Sequence, residues 1–295
     1  MDTQYADDYL DNEESFSRRH DRRPPRGRQR LSDLVAQEAT AEESGSSSEA
    51  RFTDPELQHL FEISKIDELL GEVKSGKEAT VYLVSGPDGL MAAKAYADLR
   101  VRSFRNDEVY RRGRWIGDSR IEKAITQRTA KGLEAQQDLW VFHEYLQLWQ
   151  LFEAGLPVPK PMIGPDKIDL GDAGRVVLME YIGDDEGPAP RLSDIRLPAV
   201  EALSAFEQSV EFARRLHALG KVHGDLSTYN LLWWRERVVA IDFPQMVDAA
   251  DNPEAGELLE RDVANLCRSF RKLGVRADPT ATLRRVKGGI VRPGS

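Results

Sequence analysis

The chain has 295 residues, 40% of them hydrophobic, a net charge of −9 and a single cysteine, Cys267. One cysteine excludes an intrachain disulfide framework, and the acidic balance argues against bulk electrostatic binding to nucleic acid. With no secretory leader pattern and no apolar run of about eighteen residues, the expectation is a soluble, cytoplasmic protein without a membrane segment, long enough for one two-lobed domain or two small ones.

Residues 1–54 run from an acidic block through the arginine-rich segment 18–30 to a Glu/Ser-rich stretch. So few aromatic and β-branched residues cannot offset the entropy of ordering, so this tail is expected to be disordered. Segment 18–30 reads either as a contact for RNA or another acidic surface, or as a solvated linker. Asp54-Pro55 then opens a short helix carrying Leu57, Leu60 and Phe61, as an N-cap followed by Pro at the first helical position. Leu69 to Val84 reads as strand, glycine turn, strand, and Leu90 to Tyr96 as a third strand after the Gly86-Pro87-Asp88-Gly89 turn. The turn Ser75-Gly76-Lys77-Glu78-Ala79 could cover phosphates, although surface hairpins use similar turns and no Walker A loop is present. Lys94 is a lone charge in an Ala-rich strand and calls for an anionic partner.

Segment 99–114 is basic with interleaved aromatics and reads as a phosphate or RNA contact, or as a solvated loop. From Ile121 to Phe152 the pattern is helical, with Leu139, Phe142, Leu146, Trp149 and Phe152 as the apolar stripe and Glu144 on another side. Glu144 is the candidate partner of Lys94. Gly155 ends that helix, and Pro157, Pro159 and Pro161 keep the chain extended. Val176 to Ile182 is a buried strand leading into a flexible Gly183–Pro188 connector, a natural hinge whose backbone could bond an adenine ring.

Beyond the hinge, Pro198 to Leu219 reads as a helix with Val200, Leu203, Phe206, Val210, Ala213 and Leu216 facing the core. There follows His223-Gly224-Asp225-Leu226-Ser227-Thr228-Tyr229-Asn230, then two short strands around Arg235-Glu236-Arg237, then Ile241-Asp242-Phe243. That hairpin would bring Asn230 near Asp242. An Asp, an Asn and a second Asp so placed can orient an acceptor hydroxyl and hold Mg²⁺ against phosphates. His223 reads as a structural residue bonded to backbone, and Trp233 and Trp234 as packing residues.

At this point the chain resembles the RIO family of atypical protein kinases. The resemblance runs from about Ile63 to Phe270 and rests on SGKEATVY, AAKAY, FRNDEVYRRGR, GLPVPKP, LMEYIGDDEGPAPRL, VHGDLSTYNLL, IDFPQMV and LLERDVANL, in that order. It implies that Lys94 contacts phosphates and pairs with Glu144. It also implies that Ser75, Gly76, Lys77, Glu78 and Ala79 cover the triphosphate while the Met179, Glu180 and Ile182 stretch cradles adenine. By the same resemblance Asp225 is the catalytic aspartate, Asn230 and Asp242 are the metal ligands, and Asp242 is associated with a phospho-aspartate intermediate. The implied cofactors are ATP and Mg²⁺, with Mn²⁺ as an alternative ion. The implied partners are a protein acceptor or the chain itself, and a pre-ribosomal particle. Thr228 stands where the family pattern has Glu, and Asp242-Phe243-Pro244-Gln245 replaces DFG with no APE after it, so peptide phosphorylation does not follow automatically.

The expected fold is therefore α+β, two-lobed and protein-kinase-like. An N-lobe of antiparallel sheet plus helix spans about 55–180, the hinge about 179–187, and a reduced, mainly helical C-lobe about 188–282, before a C-terminal tail at 283–295. Two other functions fit parts of the pattern. Small-molecule phosphotransferases of the aminoglycoside or choline type share HGDL, the Asn and IDF, and an assembly factor could use ATP only as a conformational ligand.

Overall fold

The computed structural model describes residues 52, 54–76, 79–96, 119–127, 129–165 and 173–288. The expectations for segment 18–30, Lys77, Glu78 and segment 99–114 lie outside the described residues.

Helix α1 (Pro55–Glu62) begins where its cap demands: the Asp54 side chain accepts from the N–H groups of Glu56 and Leu57. Leu57 and Leu60 point inward. Phe52, placed in the tail by sequence, is instead buried, packs edge-on to Phe61 at 5.4 Å and donates its N–H to Gln58. Packing against α1 thus includes Phe52, because an aromatic two residues ahead of the cap finds apolar surface on the helix.

Strands β1 (Glu68–Ser75), β2 (Ala79–Gly86), β3 (Gly89–Tyr96) and β4 (Val176–Glu180) form one antiparallel sheet in that order. Gly86 pairs with Gly89 across a tight turn, and Gly89 takes a φ of 93°, which favours glycine. The register sets Lys94 between Val81 and Val177, at the middle of the sheet.

The single helix expected over 121–152 is two: α2 (Ser119–Thr126) and α3 (Ala130–Glu153). Thr129 breaks them, its side chain accepting from Gly132 N–H as the cap of α3. Gly132 sits against the end of α2, where an added Cβ would lie 2.1 Å from the Ala124 carbonyl oxygen. The buried stripe of α3 also differs from the expected one. Trp140, Val141, Glu144, Tyr145, Leu148 and Leu151 are buried, whereas Leu139 and Phe152 are exposed. A helix covered on most sides has a weak apolar period, and the sequence pattern picks out its half-covered flank. Glu144 thus lies on the buried face.

After β4 the chain makes a hairpin of β5 (Gly183–Asp184) and β6 (Gly187–Pro188), so the connector expected to be flexible is hydrogen-bonded. Helix α4 (Ala199–Ala218) buries Ala202, Ala205, Phe206, Ser209, Val210, Phe212, Ala213 and Leu216. Val200 and Leu203, expected in the core, are 81% and 52% exposed. The small Ala202 and Ala205 give the close-packing surface of the first turns, so Val200 and Leu203 turn outward. Strand β7 (Lys221–Val222) pairs with β10 (Val247–Asp248), and β8 (Leu231–Trp234) with β9 (Arg237–Ala240). Arg235 and Glu236 both take positive φ, the geometry a two-residue hairpin turn requires. Helix α5 (Ala255–Lys272) packs Phe270 against Phe206 of α4, ring centroids 5.3 Å apart. Helix α6 (Pro279–Val286) runs across the domain end expected at residue 282, and its Val286 is buried, so the folded unit extends at least to there.

Candidate active site

A cavity of about 540 Å³ lies between the sheet and the β8–β9 hairpin. Val73, Val81 and Ala92 line it from the sheet, Leu232 and Ile241 from the hairpin. Two apolar walls facing each other make a slot suited to a flat ring. Met179, Glu180 and Ile182 line its hinge side, and Lys94 and Asp242 its polar end.

Lys94 is the centre of that polar end. Its ammonium lies 2.8 Å from Glu144 Oε1 and 2.5 Å from Asp242 Oδ1. Burial works against a charge on Lys94, but the carboxylates of Asp242 and Glu144 outweigh it and hold the ammonium well above the usual lysine value. Conversely, enclosure opposes the Asp242 charge while Lys94 and then Arg191 lower its pKa, so Asp242 is ionised. Asp242 also adopts a φ of 72°, uncommon for a non-glycine residue, and two-fifths of its side chain stays open.

The HGDLSTYN segment supplies the opposite side. A short 3₁₀ turn at Thr228–Asn230 brings Asn230 back onto Asp225: its amide nitrogen donates to the Asp225 carbonyl at 2.9 Å and to Oδ2 at 3.0 Å. With that nitrogen committed, the amide oxygen of Asn230 is left as an acceptor. Ile241 N–H donates to the Asn230 carbonyl at 3.0 Å, which fixes the segment before Asp242 beside Asn230. Oxygen donors from Asn230 and Asp242 fit a hard divalent cation such as Mg²⁺, which takes few protein ligands and completes its shell with water and phosphate. Among the described residues no three His, Cys, Asp or Glu form a closed cage.

His223 is 1% exposed and burial pushes its pKa down to about 4, against the pull of Asp242, so the ring is neutral. It packs at a tilt on Phe243, 5.5 Å between centroids, and a backbone contact with Ile241 opposes the effect of burial, as expected for a structural histidine held by main chain. Trp233 is buried, and the Trp234 ring carries the Arg235 guanidinium at 5.1 Å.

Of the residues expected at the site, Lys94, Met179, Glu180, Ile182 and Asp242 line the cavity. Ser75, Gly76 and Ala79 sit at the β1–β2 tip, closed by a Gly76 N–H to Ala79 carbonyl bond, outside the lining. Asp225 and Asn230 meet each other, also beyond it.

Sequence reasoning missed three residues. Asp262 on α5 is 1% exposed and accepts from Gly224 N–H at 2.8 Å and Leu226 N–H at 3.1 Å, gripping the backbone on both sides of Asp225. Burial raises its pKa to about 6 despite those donors and Arg261. An Asp among apolar positions of LLERDVANL was the available signal. Arg191 lines the cavity; it lies in the LMEYIGDDEGPAPRL stretch, but nothing in that stretch singles it out as a site residue. Tyr96 donates its hydroxyl to Glu144 Oε2.

A small sheet-plus-helix lobe and a helical lobe meet at a ring-sized slot closed by Lys94, Glu144 and Asp242, which is the protein-kinase-like class of fold. The RIO domain family model matches residues 80–283, and the chain belongs to that family. It is 34% identical over 223 residues to the RIO-type serine/threonine-protein kinase Rio1 of Haloferax volcanii, covering 75% of this chain and 70% of that protein. It is 39% identical over 141 residues to the Rio1 kinase of Thermoplasma acidophilum, covering 48% of this chain and 68% of the relative. Against the serine/threonine-protein kinase RIO1 of Caenorhabditis elegans identity is 33% over 224 residues, 76% of this chain and 40% of that longer protein. These matches separate the chain from small-molecule phosphotransferases, and it is a kinase-family enzyme of the RIO type.

Proposed function

We propose that the protein binds ATP with Mg²⁺ in the interlobe cavity and transfers the γ-phosphoryl group to a serine or threonine hydroxyl of a protein acceptor or of the chain itself. The observation that carries this is the Lys94 ammonium shared between Glu144 and Asp242 at the polar end of an apolar slot. Adenine would enter the slot beside Met179, Glu180 and Ile182, and Lys94 would meet phosphate oxygens. Ser75, Gly76, Lys77, Glu78 and Ala79 would cover the triphosphate. Asp225, locked by Asn230 and by the Asp262 grip on its neighbours, would accept the hydrogen bond of the acceptor hydroxyl and orient it. Asn230 and Asp242 would hold the cation, whose charge offsets that on the phosphates.

A second outcome is favoured by the open, left-handed Asp242, held by Lys94 through one oxygen. Its carboxylate oxygen would attack the γ-phosphorus as the bond to ADP breaks, and water would then cleave the acyl phosphate to release phosphate. Incubation with γ-labelled ATP and Mg²⁺ tests both. Acid-stable label on protein supports hydroxyl transfer, acid-labile label supports the aspartyl phosphate, and absence of both label and released phosphate refutes the function. By family resemblance the wider setting is cytoplasmic maturation of a pre-ribosomal particle, with the basic segments 18–30 and 99–114 available for RNA.

A further inference from the structure

Lys94 and Tyr96 are two residues apart on β3, so the alternation of a strand points both side chains to one face. Glu144 meets them there from α3, 3% exposed at its side chain. Each of its oxygens is occupied: Oε1 accepts from Lys94 at 2.8 Å and from Phe243 N–H at 3.4 Å, and Oε2 accepts from the Tyr96 hydroxyl. The Tyr96 ring also lies under the Lys94 ammonium, 5.0 Å from its centroid. Burial, and then the Glu144 charge, hold the Tyr96 hydroxyl well above its usual pKa, so it remains a donor.

We propose that Tyr96 is a positioning residue for nucleotide binding: by anchoring Oε2 it aims Oε1 of Glu144 at Lys94 and keeps that ammonium divided between Glu144 and Asp242. This rests on the phosphoryl-transfer reading of the cavity. A buried carboxylate that loses the donor on one oxygen rotates toward other donors, since an unpaired buried acceptor is costly. Lys94 then closes fully on Asp242, already 2.5 Å away, and incoming phosphates must compete with a completed ion pair. The loss falls on ATP binding and leaves Asp225, which acts on the acceptor, in place.

The experiment compares wild type, Tyr96→Phe, Tyr96→His, Glu144→Gln and the Tyr96→Phe/Glu144→Gln double variant by equilibrium ATP binding and by steady-state phosphate release. Tyr96→Phe keeps the ring and removes only the hydroxyl. It should raise Kd and KM for ATP about tenfold, the scale of one charge-assisted hydrogen bond, with kcat within about twofold. In the Glu144→Gln background the same change should shift Kd less than about twofold, because the neutral amide no longer forms the ion pair with Lys94 that Tyr96 aims. Tyr96→His, which retains an aromatic ring and an N–H donor, should recover part of the affinity and supplies a second reading if the Phe variant does not fold. An unchanged KM in Tyr96→Phe, or an equal loss with and without Glu144, overturns the proposal. The wild-type control separates the readings: no ATP binding there refutes the nucleotide site itself, whereas wild-type binding matched by Tyr96→Phe refutes only the role of Tyr96.

Discussion

Asp262→Asn tests how the loop around Asp225 is held. The carboxyl group is 1% exposed and its pKa rises from 3.8 to about 6, with burial the main cause. Between those values the folded protein keeps a proton that the unfolded chain has lost, so this group's stabilisation is complete below pH 3.8 and is lost as pH rises through 6. About two units at 1.36 kcal/mol each give about 3 kcal/mol lost by neutral pH. Asparagine cannot ionise. The unfolding free energy of Asp262→Asn relative to wild type should therefore move by about 2 kcal/mol in the variant's favour between pH 4 and pH 7, since part of the loss has already occurred at pH 4, some 4–8 °C in Tm for a domain of this size. Asparagine also offers an amide N–H₂ where a second acceptor is needed, so either Gly224 or Leu226 N–H loses its partner and kcat should fall by about tenfold or more. Urea titrations across pH 4–7.5 beside phosphate-release assays read both quantities. A stability difference that stays flat with pH would refute the buried, raised carboxyl, and unchanged turnover would refute its hold on the loop.

Other changes probe separate parts. Asp225→Ala should abolish phosphoryl transfer while ATP binding stays within about threefold of wild type by equilibrium titration; parallel loss of both would remove Asp225 from the catalytic role. Asp242→Ala should weaken nucleotide binding mainly when Mg²⁺ is present, so titrations with and without the metal should converge. Gly132→Ala should destabilise by about 1–3 kcal/mol by thermal unfolding, because its Cβ would meet the Ala124 carbonyl rather than a yielding side chain. Val200→Ser should change stability by no more than about 0.5 kcal/mol and Phe270→Ala should cost about 3–5 kcal/mol, a contrast that checks which face of α4 is packed.

The strands around Lys94 were legible because period-two alternation and glycine turns are local signals, and the cap of α1 was legible because Asp-Pro writes it in adjacent residues. The Lys94–Glu144 contact links residues 50 apart, and residue type alone could only nominate it. Helix faces were read less well. Val200 and Leu203 fit the helical period but lie where small alanines form the contact, and α3 is covered on too many sides for its period to show which face carries Glu144. Asp262 was missed for a related reason: its partners are backbone N–H groups, which leave no mark on sequence. Tyr96 was read as the end of a strand, since only the assembled sheet and helix reveal what its hydroxyl faces.

The segment after α3 runs along the outer side of β4: Met162 N–H donates to the Leu178 carbonyl and Glu180 N–H to that of Lys160. Those bonds, with Val176 N–H donating to the Ala173 carbonyl, occupy much of that edge and make it a poor place for a strand from another molecule. At the other edge, β1 departs from regular pairing at Leu69/Gly71 and again at Glu72/Lys74, and carries Glu68, Glu72 and Lys74. Irregular, charged backbone is a poor template for a foreign strand. Among the described residues, both edges of the four-stranded sheet are thus poor templates for strand addition, so the small lobe is disfavoured from associating edge to edge.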